Sequence, residues 1–402
     1  MKVEILERLK KAFTPEEVLA LAGDLVRIPS HSQAPGRETA VARFLAGWLE
    51  RNGIDVVLRP VVEERPNVIA TLRGQGKGPS LMLNGHLDTV PPYTMAIDPF
   101  SGEVKDGKLW GRGSVDMKGA CAAMAMALVA LKRSGVELEG DLFFTGVINE
   151  ELKSEGSEDI VLNGPKADAV IVGEPSELNI SAGHRGLEWI EIEVIGRAAH
   201  GGRPHLGINA ISKMAAFIRK LEVELPPRLK ARTHPLMGPP IFNLGVIQGG
   251  MQPSSVADRC ILQVDRRLTP GETWQSVFAE LEQIIGLCRA EDPEFKAVLR
   301  RIPDNMATMD HLPMEFPLSH PLKGILDLSV EEVTGRKPDL TCCTGWTDAA
   351  LFANQGGTPA LVLGPGTIAV AHGAEEHCPA EQIVQAVLVY SLAAARFCGQ
   401  SV

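Results

Sequence analysis

Apolar residues recur at helical spacing over 37–52, where Val41, Phe44, Leu45, Trp48 and Leu49 share one face and Gly53 supplies the stop. Residues 15–28 read as another helix, opened by Thr14 as N-cap, Pro15 beside it and Glu17 three positions on. Between Met1 and Phe13, Val3, Ile5, Leu6 and Leu9 are interleaved with Lys, Glu and Arg, which predicts an amphipathic helix and not the unbroken apolar region of a signal peptide. Short apolar runs predict strands at 55–58, 67–72, 81–83, 141–148, 167–172 and 358–363. An Ala-rich run over 120–128 reads as a buried helix, and a last helix begins at Pro379 with Ile383, Val387, Leu388 and Leu392 on its apolar face. The loop Gly74-Gln75-Gly76-Lys77-Gly78 has neither the spacing of a phosphate cradle nor a helix after it, and reads as a turn between strands.

From about His184 to about Arg300 the pattern changes. Leu187-Glu188-Trp189-Ile190-Glu191-Ile192-Glu193 mixes apolar and acidic positions as a strand with one wet face does. An amphipathic helix over 208–221, strands over 242–247 and 260–266, and a helix over 273–289 follow, with Pro226-Pro227 and 235–240 read as loops. This β-α-β-β-α run predicts a small α+β domain inserted into an α/β domain. The expected division is 1–183 and 300–402 for the outer domain and 184–299 for the insert, and a length of 402 residues also favours two domains.

Composition narrows the partners. Forty Lys and Arg against fifty Asp and Glu give a net charge of −10, which disfavours nucleic acid. The seven Cys form no Cys-x-x-Cys, and reduced thiols of a soluble, cytoplasmic protein are the expectation. No apolar run is read as reaching the roughly 20 residues of a membrane span.

Ligand-type side chains follow the strands. His86 and Asp88 follow the run at 81–83; Asp116 precedes the Ala-rich helix; Asn149-Glu150-Glu151 ends the strand at 141–148; Glu174 follows that at 167–172; His372 lies beyond the strand at 358–363. Each has a plain alternative. Asp116 reads equally as a helix N-cap, Glu150-Glu151 as a solvated loop, and His86-x-Asp88 as a chance pair. Together, at the carboxyl ends of strands in an open α/β sheet, they suit a site for two metal ions. One carboxylate would bridge, each ion would have its own His and carboxylate, and a spare Glu would act as general base.

Five ordered motifs carry a resemblance: Gly85-His86-Leu87-Asp88-Thr89-Val90-Pro91, Gly111-Arg112-Gly113-Ser114-Val115-Asp116-Met117-Lys118-Gly119, Asn149-Glu150-Glu151, Gly173-Glu174-Pro175-Ser176 and Ala371-His372-Gly373-Ala374-Glu375-Glu376. The chain resembles the dinuclear zinc metallopeptidase family of acetylornithine deacetylase, succinyl-diaminopimelate desuccinylase, aminoacylases, glutamate carboxypeptidases and several dipeptidases. The resemblance implies a zinc-exopeptidase-like catalytic domain, a mixed sheet between helices, with an inserted ferredoxin-like lid or dimerisation domain, and a homodimer. It implies two Zn²⁺ ions, with Co²⁺ or Mn²⁺ able to substitute. Asp116 would bridge them, His86 and Glu174 would complete one site, and Glu151 and His372 the other. Glu150 would be the general base for attack by a hydroxide held between the ions, and Asp88 would orient His86. His377 is a rival for His372, which sits in the better-matching Ala-His-Gly context.

In the insert, Gly196-Arg197-Ala198-Ala199-His200-Gly201-Gly202-Arg203-Pro204 resembles the family's lid motif, so His200 would reach a partner subunit's active site and donate to the oxyanion. Arg185 and Arg267 are candidates for a substrate carboxylate. Ser254 stands where many relatives carry Asn, and Trp346-Thr347-Asp348 resembles a segment near the pocket, with Trp346 either lining it or packing. The implied reaction is removal of an acyl group from an N-acyl amino acid. A dipeptidase or glutamate-type carboxypeptidase has the same site, and a non-catalytic dimeric scaffold is a third reading.

Overall fold

The computed structural model describes residues 2–303 and 309–399. The chain divides into two compact units, one of Met1–Gly183, Glu315–Cys343 and Thr347–Val402, the other of His184–Met314 and Thr344–Trp346.

The first unit is built on a mixed sheet in the order Asp55–Val62, Arg65–Leu72, Leu142–Val147, Leu81–His86, Ala169–Val172, Ala360–Val362 and Ile180–His184, the last also pairing with the short strands Met314–Glu315 and Leu340–Cys343. Its centre is parallel: Leu81–His86 runs alongside Leu142–Val147 on one side and Ala169–Val172 on the other, and Ala360–Val362 joins the latter in parallel. His86 is in register with Val147, so the carboxyl ends of these strands reach one rim together. The central strands are buried throughout, as parallel strands covered on both faces must be. Gly85 is required by close approach: a Cβ there would lie 2.8 Å from both Cys121 Sγ and Met117 Cε.

The helix Gly119–Ser134 packs on Leu81–His86 and beside Ala380–Phe397. It is apolar all round, from Ala120 to Leu131, and correspondingly buried. By length and composition Ser114–Ser134 would suit a membrane span, contrary to the reading of the apolar runs, but its apolar stretch is buried in the core and only its end, at Lys132 and Arg133, is exposed. After the N-terminal helix Lys2–Lys10, Thr14 caps Pro15–Arg27 in a reciprocal capping box with Glu17. None of the seven cysteines is in a disulfide.

The second unit is a four-stranded antiparallel sheet in the order Ile241–Gly249, Arg259–Leu268, Gly186–Ile195, Lys296–Arg301, with helices Ala210–Ala231 and Trp274–Glu291. Its core gathers Ile190, Ile192, Val194, Met214, Phe217, Leu262, Leu281 and Ile284. Two expectations are corrected. The division at 299/300 cuts through Lys296–Arg301, whose ladder with Gly186–Ile195 holds it in the second unit, and the chain returns to the first unit only at Glu315. Pro226 and Pro227 lie inside the helix Ala210–Ala231 and not in a loop. The buried stripe Met214, Phe217, Leu221, Leu225 and Leu229 runs past them at helical spacing, and this burial outweighs the hydrogen bonds the two prolines cannot make.

Candidate metal centre

Five segments deliver the side chains. His86 is the last residue of its strand; Glu150 and Glu151 follow Leu142–Val147; Glu174 follows Ala169–Val172. Asp116 lies in the irregular turn Ser114–Lys118 before the core helix, with a cis peptide bond to Met117. Gly113, with φ of +83°, opens that turn in the left-handed region that glycine tolerates. His372 and Asn149 hold left-handed φ values of +59° and +65° without being glycine, a conformation that costs energy and gathers at functional sites.

Asp116 faces two imidazoles at once. Its Oδ1 lies 3.1 Å from His86 Nε2 and its Oδ2 lies 3.1 Å from His372 Nε2. His86 Nε2 is also 3.5 Å from Glu174 Oε1, and His372 Nε2 is 3.2 Å from Glu151 Oε1. A tetrahedral zinc ion with bonds near ~2.0–2.1 Å places its donor atoms about 3.3 Å apart, so both clusters have the spacing of a metal cage. The donors fit two ions: His86, Glu174 and one oxygen of Asp116; His372, Glu151 and the other. Glu150 also stands close, its carboxylate within 4.8 Å of donor atoms of His86 and Glu174. His377 is elsewhere, accepting nothing from the cluster, with Nδ1 at the Glu375 carbonyl and its ring on Trp110.

Charge is unbalanced without a cation. Burial, reinforced by the negative charge of Asp116, pushes the Glu174 carboxyl up to about 7. Burial raises Glu150 strongly and Glu151 as well, with Asp348 adding to the first and Asp116 to the second. At Asp116 burial is outweighed by the hydrogen bonds of His372 and His86, which hold it well below the usual carboxylate range. Burial opposes a charge on His86 too, yet Asp116, Asp88 and Glu174 together drive it upward. His372, exposed on its outer side, is raised to about 10 by Asp116 and Glu151. Four carboxylates converge on two imidazoles, and dications would relieve that excess.

A pH prediction follows. In the metal-free protein His372 keeps its proton up to about pH 10, on the nitrogen a metal must take. Metal uptake at pH 8 should therefore release at least one proton, and apparent affinity should rise by about tenfold per pH unit for each proton displaced. Calorimetric titration in buffers of different ionisation enthalpy checks this; uptake without proton release would contradict it.

Asp88 contacts more than His86. His86 Nδ1 lies 3.0 Å from the Asp88 backbone carbonyl and 3.5 Å from its carboxylate. The carboxylate instead accepts from the backbone N–H groups of Glu150 (3.1 Å) and Glu151 (3.0 Å), and so fixes the turn that carries both. Asp348, buried and pushed up to about 6 by burial, accepts from Ser157 Oγ at 2.6 Å beneath the same turn. Asn84, under His86, reaches Ser157 as well. No local pattern marks Asn84 or Ser157, whose pairing depends on how the strands assemble.

The remaining candidates lie in the second unit. His200 is on an exposed loop, its Nδ1 accepting from Gly202 N. Arg185 donates to the carbonyls of Met237 and Pro239. Arg267 pairs with Asp265 at 2.9 Å, whereas its neighbour Arg266 is fully buried against Glu272. Trp346 packs edge-on against His311 and donates to the Leu312 carbonyl.

Comparison with known proteins gives this arrangement its context. The chain is 32% identical over 374 residues to the acetylornithine deacetylase of Proteus mirabilis, covering 89% of this chain and 91% of that one. It is 29% identical over 396 residues to the N-formyl-4-amino-5-aminomethyl-2-methylpyrimidine deformylase of Bacillus subtilis, covering 92% of each. Its fold matches that of the Bacillus subtilis YXEP protein, described as a dinuclear metal binding peptidase of family M20, with a TM-score of 0.70, 17% identity and coverage of 95% and 97%. Residues 82–396 match the model of peptidase family M20/M25/M40. With the motifs, the mixed sheet and the His and carboxylate cluster in agreement, the chain belongs to peptidase family M20/M25/M40 and is a metallohydrolase of that family.

Proposed function

We propose that the protein is a zinc-dependent amidohydrolase that removes the acyl group from an N-acyl amino acid, in the manner of an acetylornithine deacetylase or succinyl-diaminopimelate desuccinylase. The observation that carries the reading is Asp116, whose two oxygens each face a different imidazole at 3.1 Å. His86 and Glu174 would hold one ion with it, His372 and Glu151 the other, and Co²⁺ or Mn²⁺ would be able to replace zinc. When bound, the metal pair polarises the amide carbonyl and makes water acidic enough to attack at neutral pH. Glu150 takes the proton of the attacking water and returns it to the leaving amine. Its burial and high carboxyl pKa suit a base that must become an acid. Asp88 keeps Glu150 and Glu151 in place through their backbone N–H groups.

The protein acts in the cytoplasm as a homodimer, in which His200 of the inserted domain donates to the oxyanion in the partner subunit, and Arg185 or Arg267 binds the substrate carboxylate. The strand Ile241–Gly249 supports the dimer: it is exposed along nearly all its length and carries Leu244, Val246 and Ile247, an apolar edge that needs a partner. The second reading is a dipeptidase or carboxypeptidase. A panel of N-acetyl, N-succinyl and N-formyl amino acids and dipeptides, with Zn²⁺ or Co²⁺ added, tests the choice. Hydrolysis of acyl amino acids over dipeptides is expected. Turnover confined to dipeptides would select the peptidase, and none by protein carrying both metals would leave only a scaffold.

A further inference from the structure

The loop that carries Asp116 and the loop that carries His372 are joined by two side chains that offer no ligand to the centre. Glu376 and Arg112 are 0% and 2% exposed. Glu376 Oε1 accepts from the backbone N–H groups of Gly113 (2.9 Å), Val115 (3.1 Å) and Asp116 itself (3.2 Å). Its Oε2 takes Arg112 Nη1 at 2.5 Å. The other arm of the guanidinium, Nη2, donates to the carbonyls of His372 (3.5 Å) and Gly373 (3.4 Å). The main chain repeats the link, with Gly111 N donating to the Glu376 carbonyl at 3.2 Å.

A buried ion pair is a poor way to stabilise a fold, since desolvation consumes most of the attraction. What this pair supplies is geometry. A carboxylate that collects three N–H groups within four residues, Gly113, Val115 and Asp116, orients the peptide of Asp116 and therefore its carboxylate. A guanidinium fork that spans Glu376 and the His372 carbonyl supports a residue at left-handed φ, an uncommon conformation outside glycine. We propose that Glu376 and Arg112 are positioning residues for the metal pair: they set Asp116 against His372 and so define the ion position formed by Asp116, Glu151 and His372. This rests on the two-metal reading above.

The test reads metal binding, not turnover. Metal-free protein is titrated with Zn²⁺ or Co²⁺ against a competing chelator, with the Co²⁺ visible spectrum and metal-free thermal unfolding recorded in parallel. Wild type should take up two ions. Glu376→Gln keeps an oxygen for the three N–H groups but turns an amide NH₂ toward Arg112. It should remain folded and lose roughly 10- to 100-fold in affinity for one ion, the range expected when a group supporting a metal ligand is removed. The Co²⁺ spectrum of the more tightly held ion should survive. Arg112→Met should do the same, and the double variant should lose no more than either single one. Arg112→Lys, which keeps the charge but not the reach to both carbonyls, carries the test should Glu376→Gln fail to fold. Wild-type affinity for both ions, with only metal-free stability reduced, would overturn the proposal. Wild type that takes up fewer than two ions would instead overturn the two-metal reading.

Discussion

Glu150→Ala is expected to keep both metal ions and to lower kcat by about 10²- to 10⁴-fold, the usual worth of a positioned general base. Glu150 stands beside the His86 and Glu174 donors, yet the bridging pattern around Asp116 is complete without it. Its backbone is pinned by Asp88 and preceded by the left-handed Asn149, so the turn sets where its side chain starts. Burial raises its carboxyl well above the ordinary range and a charge on His86 opposes that shift, so its proton affinity is set by the site around it. Metal analysis with steady-state rates decides the matter. Normal turnover would remove Glu150 from the role of base, and loss of an ion would make it a ligand.

Asp116→Ala should lose both ions and with them all activity. On the proposed arrangement one carboxylate would serve the two positions, so its removal should open both at once, whereas His372→Ala should spare the ion assigned to His86 and Glu174. A second readout separates this from unfolding. Asp116 is the first cause of the high pKa of His372, so in the metal-free variant that imidazole should titrate well below about 10. It should fall toward the 6.5 of an ordinary histidine, to the extent that Glu151 alone allows. Imidazole titration by NMR measures it. A His372 that still titrates near 10, or two ions still bound, would show that Asp116 does not bridge.

The strand and helix runs were readable because each reports on neighbours a few positions away. The parallel core strands, the Thr14 cap and the Ala-rich helix are of this kind, and the ligand types at the strand ends could be named from residue chemistry and motif order. Two local signals misled. Pro226-Pro227 signals a break, but the apolar stripe that carries the helix through them depends on packing against the sheet of the second unit. The strand Lys296–Arg301 has no clean alternation, since Arg300 and Arg301 occupy it to pair with Glu193 and Glu188 across the ladder.

By itself the sequence determined the kinds of side chain at the rim, their order and the family to which they point, because motif and periodicity are properties of short segments. Only the tertiary structure decided how those side chains divide their atoms. It gave each oxygen of Asp116 its own imidazole, turned the Asp88 carboxylate to the N–H groups of Glu150 and Glu151, and placed Arg112 on Glu376 across 264 positions of chain. Such pairings arise when parallel strands bring their carboxyl ends to one rim. Their partners are chosen by sheet register and desolvation, which no short stretch of sequence encodes.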